Sequence, residues 1–232
     1  MNAMINDVVR NRKIPGISVP NRLFNMGLGG NEWQGNTDYL PLFSRDLLYY
    51  GFRNLPPMFR DPAADIGSMR FVLLVRDPRD ALVSEYFSFG TKAGSHVAPK
   101  NNPQAFLARK AATDDIGIDD YVLKSAANLN RKLADYRDNM NFDLGLLRRY
   151  EQVFFDKQTF LAEIFDHFGI EVPEKVIATV AARHDIRPEQ EDPTKHIRKG
   201  LPGDHQEKLR PETIARLNDI FRDVGAFYGY SL

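Results

Sequence analysis

The sequence predicts an α/β fold with a mainly parallel sheet covered by helices. Three observations point there. A continuous apolar run, RFVLLV at 70–75, leads straight into a strong helix start at Asp77 and Pro78. Strand-like and helical segments then alternate along the chain, as parallel sheets with crossover helices require. The composition, 43% apolar and 27% charged over 232 residues, is that of a globule with a real core. One domain spanning 1–232 is the expectation at this length.

Each element follows from a local signal. Residues 2–12 can form one or two helical turns. Residues 13–46 hold two prolines before Asn21, the Gly-rich GLGG at 27–30 and Trp33 between Glu32 and Gln34. They read as loop with short pieces of structure. LLYYGF at 47–52 is a candidate strand, and 54–67 is turn-rich because its prolines deny a continuous helix. The run at 70–75 is unbroken rather than alternating, as in a strand buried on both faces. Asp77 can serve as N-cap, Pro78 suits the first helical position, and Asp80 lies three residues after the cap. That helix is expected to reach about Phe89. The stretch 90–103 is polar, carries two Gly and two Pro, and reads as a long surface loop.

Farther along, 118–139 predicts an amphipathic helix with Tyr121, Leu129, Leu133 and Tyr136 near one stripe. The segment 142–150 is a second strand candidate, weakened by Gly145. Helices are predicted at 157–168, closed by Gly169, at 174–184 after Pro173, and at 211–224. Residues 185–210 are rich in charge, Pro and Gly.

Composition excludes several classes. There is no Cys, so neither a disulfide framework nor a Cys-ligated zinc is possible. The longest purely apolar run is too short to span a bilayer. The N-terminal stretch MNAMINDVVRNRK lacks the apolar core of a signal peptide, so a cytoplasmic location is expected. Basic and acidic residues balance at 31 each, which argues against general nucleic-acid binding while allowing a local basic pocket.

Two segments can carry chemistry. In RDPRDALVSEYFSF, 76–89, Arg76 sits at the carboxyl end of the apolar strand, the edge where open α/β sheets bind ligands. The following helix start aims free backbone N–H groups at that edge and favours an anion. Ser84 lies seven residues beyond Asp77, on the same helix face two turns later. The alternative is that Arg76 pairs with a nearby carboxylate and Ser84 packs as a small residue. In HIRKGLPGD, 196–204, Arg198, Lys199, Gly200 and Gly203 make a basic loop suited to phosphate, or a solvated basic turn.

Taken together, RDPRDxxVSxYxxF and a later RKGxxGD resemble the sulfotransferases that use 3′-phosphoadenosine 5′-phosphosulfate (PAPS). LRRYEQVFFDKQTFLAEIFDHFGI, 147–170, also looks like that family's strand ending in Tyr-Glu followed by a helix. The likeness covers roughly 47–228. It implies a P-loop-type, three-layer α/β/α fold, with Arg76, Ser84, Arg198, Lys199 and Gly200 holding the 3′-phosphate and Tyr150 lining the adenine pocket. It further implies sulfuryl transfer from PAPS to a hydroxyl or amine of a small acceptor, leaving 3′-phosphoadenosine 5′-phosphate (PAP), with no metal.

Two departures accompany the resemblance. The family's 5′-phosphosulfate loop, with a Ser-Gly-Thr-Thr or similar core, is not found between Met1 and Asp46, and GLGG does not substitute for it. The chain is therefore expected to be N-terminally incomplete for this fold, starting inside the helix after that loop. The family's usual catalytic His or Glu is also missing from 47–56, so no catalytic base is assigned. His96 lies in the polar loop; His167 reads as structural; His184 and His196 flank the basic region. The carboxylates at 114–115 and 119–120 are explained by the dipole of the helix whose start they flank. Phe87, Phe89 and Phe106 line an acceptor pocket or pack in the core. The alternative function is a protein of the same fold that binds the nucleotide, or acts as an interaction module, without transfer.

Overall fold

The computed structural model describes residues 2–44, 46–89, 103–114, 116–188, 190–191 and 201–232. In chain order the elements are α1 (Asn2–Arg12), β1 (Gly16–Ile17), α2 (Val19–Asn25), α3 (Gly30–Trp33), β2 (Leu48–Tyr49), β3 (Phe71–Val75), α4 (Pro78–Phe89), α5 (Pro103–Asp114), α6 (Ile118–Asn139), β4 (Gly145–Arg149), α7 (Tyr150–Phe155), α8 (Lys157–His167), α9 (Glu174–Arg183), α10 (Asp204–Lys208) and α11 (Pro211–Phe227). Short 3-10 turns fill 37–42, 57–68 and 142–144. The described strands form two small sheets: β1 pairs with β2 in parallel, Gly16 opposite Leu48, and β3 pairs with β4.

The chain divides into two compact units. The first comprises Met1–Leu73, Asn139–Arg148 and Phe155–Asp185. Its larger core gathers apolar residues at helical spacing: Met4 and Val8 of α1, Leu161 and Phe165 of α8, and Ile177, Val180 and Ala181 of α9, with Leu48 of β2. Its second core joins Val19 and Leu23 of α2 to Trp33 and Met58, rimmed by Phe43, Tyr49, Phe52 and Phe59. Trp33, expected in a loop, is almost fully buried. Burying its ring gives the short α3 a tertiary reason to exist that no local propensity supplies.

The second unit comprises Leu74–Asp138, Arg149–Phe154 and Ile186–Leu232. Leu82 and Val83 of α4, Tyr121, Val122 and Ala126 of α6, and Leu217, Phe221 and Val224 of α11 are all buried. Helix α4 packs against α5, α10 and α11. The stripe expected on α6 is only partly the buried one. Tyr121 is buried, but Leu129, Leu133 and Tyr136 are half-buried, and Val122 and Ala126 complete the inner face.

Strand β3 differs from its expectation. Only Val75 is fully buried, and 71–74 are half-buried. The second strand candidate starts later than predicted, because a 3-10 turn takes 142–144 before β4 begins at Gly145. Gly145 belongs there for a steric reason: a Cβ at that position would collide with the Phe71 ring, which packs edge-on to Phe142 at 5.3 Å.

Candidate functional site

The turn from β3 into α4 is built as the sequence implies, and then reinforced from elsewhere. Asp77 caps α4: its Oδ1 accepts the Arg79 backbone N–H at 2.9 Å. The same carboxylate grips the Arg79 guanidinium, with Nε at 3.0 Å from Oδ1 and Nη2 at 2.6 Å from Oδ2. Arg79 Nη1 continues to Asn218 Oδ1 on α11 at 2.8 Å. In an ordinary capping box, the side chain three residues into the helix would accept the cap's own N–H. That residue is Asp80, and it faces elsewhere. Glu151 takes the role instead, accepting the Asp77 N–H at 2.8 Å on Oε1 and the Tyr230 hydroxyl at 2.8 Å on Oε2. Burial, then this bond to a carboxylate, pushes the Tyr230 phenol well above its usual range, so it remains a donor.

Arg76 is held on two sides. Its guanidinium carbon lies 4.8 Å from the centroid of the Tyr150 ring. Its Nη2 is 3.9 Å from Asp80 Oδ2, an ion pair without a hydrogen bond. Arg76 Nε is buried and has no hydrogen-bond partner among the described residues. A buried, unsatisfied donor on a fixed cation is costly unless a ligand meets it. Burial raises the Tyr150 phenol above its ordinary range while Arg76 opposes that shift. The ring therefore acts as a neutral platform.

Asp80 is almost completely buried. It accepts the Gly203 N–H at 2.6 Å, the His205 N–H at 2.9 Å and His205 Nδ1 at 2.6 Å. Burial acts to raise its pKa, but these donors and Arg76 outweigh it and hold the carboxyl down at about 2. An ionised carboxylate only accepts, so His205 carries its proton on Nδ1. Gly203 has φ +90°, a left-handed conformation that favours glycine, and it forms the N-cap of α10.

Of the residues singled out from sequence, Arg76 and Tyr150 come together. Ser84 lies two turns along α4 and is half-buried. Arg198, Lys199 and Gly200 lie outside the described residues, as do His96, His196 and the loop 90–102. His167 and His184 belong to the first unit. His167 Nε2 meets the Leu144 carbonyl at 3.1 Å, and His184 Nε2 meets Asp7 at 3.0 Å. Phe87 stacks edge-on with Tyr86 at 5.3 Å, while the side chains of Phe89 and Phe106 are outside the described set. Asp119 accepts the Arg210 N–H at 3.0 Å, a structural use. Among the described residues, no group of three His, Asp or Glu side chains could hold a metal ion. Sequence reading missed Asp80 with His205, and Glu151 with Tyr230. Their partners lie 125 and 79 positions apart, beyond any spacing rule.

The family described as Sulfotransferase domain matches residues 54–228. The chain belongs to the sulfotransferase family. No curated protein sequence matches it. Among solved structures, this sulfotransferase-family chain is similar to mouse sulfotransferase SULT7A1 complexed with PAP, at 15% identity and a TM-score of 0.52, over 81% of this chain and 68% of that one. It is also similar to a retinol dehydratase in complex with androsterone and the inactive cofactor PAP, at 15% identity and a TM-score of 0.50, over 91% and 66%. The chain thus spans about two thirds of each neighbour's length. These likenesses give it the α/β fold of sulfotransferases, as the resemblance implied. No described helix of this sulfotransferase-family chain is long and apolar enough to cross a membrane.

Proposed function

We propose that the chain is a PAPS-dependent sulfotransferase acting on a small acceptor, folded as one domain over 1–232 in a P-loop-like arrangement and working in the cytoplasm. The observation that carries the reading is Arg76: a cation at the end of β3, stacked on Tyr150, with a buried Nε that lacks a partner among the described residues. The N–H groups of Asp77 and Arg79 at the start of α4 are already taken by Glu151 and Asp77, contrary to the free donors expected there, so the cation itself supplies the attraction for a phosphate. In this reading Arg76, Ser84, Arg198, Lys199 and Gly200 hold the 3′-phosphate, and Tyr150 packs against the adenine. The acceptor oxygen or nitrogen forms a bond to sulfur as the bond from sulfur to the 5′-phosphate oxygen breaks. PAP leaves, and the acceptor's proton passes to solvent or a base. Such in-line transfer rests on positioning and charge stabilisation.

A second reading, nucleotide binding without transfer, is favoured by one observation. The Gly-rich stretch at 27–30 opens α3, and the Glu32 carboxylate already accepts the Gly29 N–H there at 2.5 Å. With this amide taken by a carboxylate, the stretch does not stand in for a 5′-phosphosulfate loop.

Calorimetric titration with PAP, with 5′-AMP as control, tests the binding. PAP should bind much more tightly. Arg76→Ala should weaken PAP binding by roughly 10- to 150-fold, the worth of a charge-assisted contact, and leave 5′-AMP little changed. Equal affinity for the two nucleotides in the folded wild type would refute the reading. PAP release from PAPS, with a panel of phenols, alcohols and amines, separates transfer from binding alone.

A further inference from the structure

Asp80 stands beside Arg76, with its carboxylate oxygens engaged by donors from Gly203 and His205. Its Oδ2 accepts the Gly203 N–H, and its Oδ1 accepts both the backbone and Nδ1 protons of His205. The same Oδ2 lies 3.9 Å from Arg76. One buried carboxylate therefore joins three things: the cation at the end of β3, the first turn of α4, and the entry to α10.

We infer that Asp80 and His205 are positioning residues that align Arg76 for recognition of the 3′-phosphate. The inference rests on the nucleotide reading above. The electrostatic logic is specific. A bare carboxylate beside Arg76 would neutralise the cation and repel an incoming phosphate. Here three N–H donors take up its oxygens, so it stays longer than hydrogen-bonding distance from the guanidinium. Arg76 is thereby braced between Asp80 and the Tyr150 ring, with Nε unpartnered among the described residues. The requirement for His205 is a single donor at Nδ1, not a general base, because that proton is committed to Asp80.

The test measures the ratio of PAP to 5′-AMP affinity by calorimetry, which isolates the 3′-phosphate. Asp80→Asn replaces one acceptor oxygen by a donor. His205→Ala removes the side-chain donor, and His205→Asn restores an N–H near the Nδ1 position. The ratio should fall roughly tenfold in Asp80→Asn and in His205→Ala, within the coupling range of contacting side chains. It should recover in His205→Asn, with 5′-AMP affinity unchanged throughout. An unaltered ratio in folded variants overturns the inference and leaves the nucleotide reading intact. A parallel loss of affinity for both nucleotides overturns it too, since that is what general loosening would produce. Should Asp80→Asn fail to fold, the two His205 variants decide alone. A wild type that does not distinguish PAP from 5′-AMP removes the nucleotide reading, and this inference with it.

Discussion

Asp80 is an ionised carboxylate with almost no contact with water, and it makes stability depend on acid. Burial alone would favour its neutral form, but the donors from Gly203 and His205, with Arg76 nearby, depress the folded pKa to about 2. The unfolded chain holds an ordinary carboxyl. A depressed folded pKa means the contribution is complete above the unfolded value and is lost as pH falls through the folded one. The window therefore runs from about pH 4 down to about pH 2, and the loss amounts to roughly 2 kcal/mol. Urea unfolding of wild type and Asp80→Asn at pH 6 and near pH 2 checks it. The stability gap between them should narrow by about that amount at the acid end. A constant gap would contradict the ionised, donor-held state of Asp80.

At the scale of elements, Gly145 shows what sequence and structure each reveal. From sequence it weakens a strand; in the fold it lets β4 pass the Phe71 ring. Gly145→Ala should destabilise the protein by about 1–3 kcal/mol, the cost of overpacking, read as a lower urea midpoint. Substitution without effect would mean the Phe71 ring yields freely. Elements with strong local signals were legible: α4 from its Asp-Pro start, α6 from its apolar stripe, α8 from its closing Gly169 and α9 from Pro173, whereas α1, expected as one or two turns, runs over Asn2–Arg12. Arg76 stood out because it ends the strand before a helix start, while Tyr150 was pointed to only by the family resemblance. Residues 16–44 were not, since β1 exists only through pairing with β2, and α3 through the burial of Trp33. The Asp80 clasp was illegible for the same reason. Asp80 looked like a third-position helix acid, and only the tertiary fold gives it Gly203 and His205.

For the molecule as a whole, formal neutrality leaves no net charge to draw in an anion, so the proposed nucleotide would be recognised by local contacts. A ligand bound only by the native state adds about 2.7 kcal/mol at one hundred times its dissociation constant. For a chain of this size that corresponds to a rise of roughly 5–11 °C in Tm. PAP should produce it in a thermal melt, and 5′-AMP at the same concentration should give a clearly smaller shift; equal shifts would speak against a 3′-phosphate pocket. The cap of α4 has a consequence in time as well. Its Asp77 amide is satisfied by Glu151, 74 residues later in the chain. A ribosome adding 5–20 residues per second needs roughly 4–15 s to cover that distance. For that interval the nascent helix carries an open start, and the turn that bears Arg76 is completed only when the Tyr150 and Glu151 segment has been made.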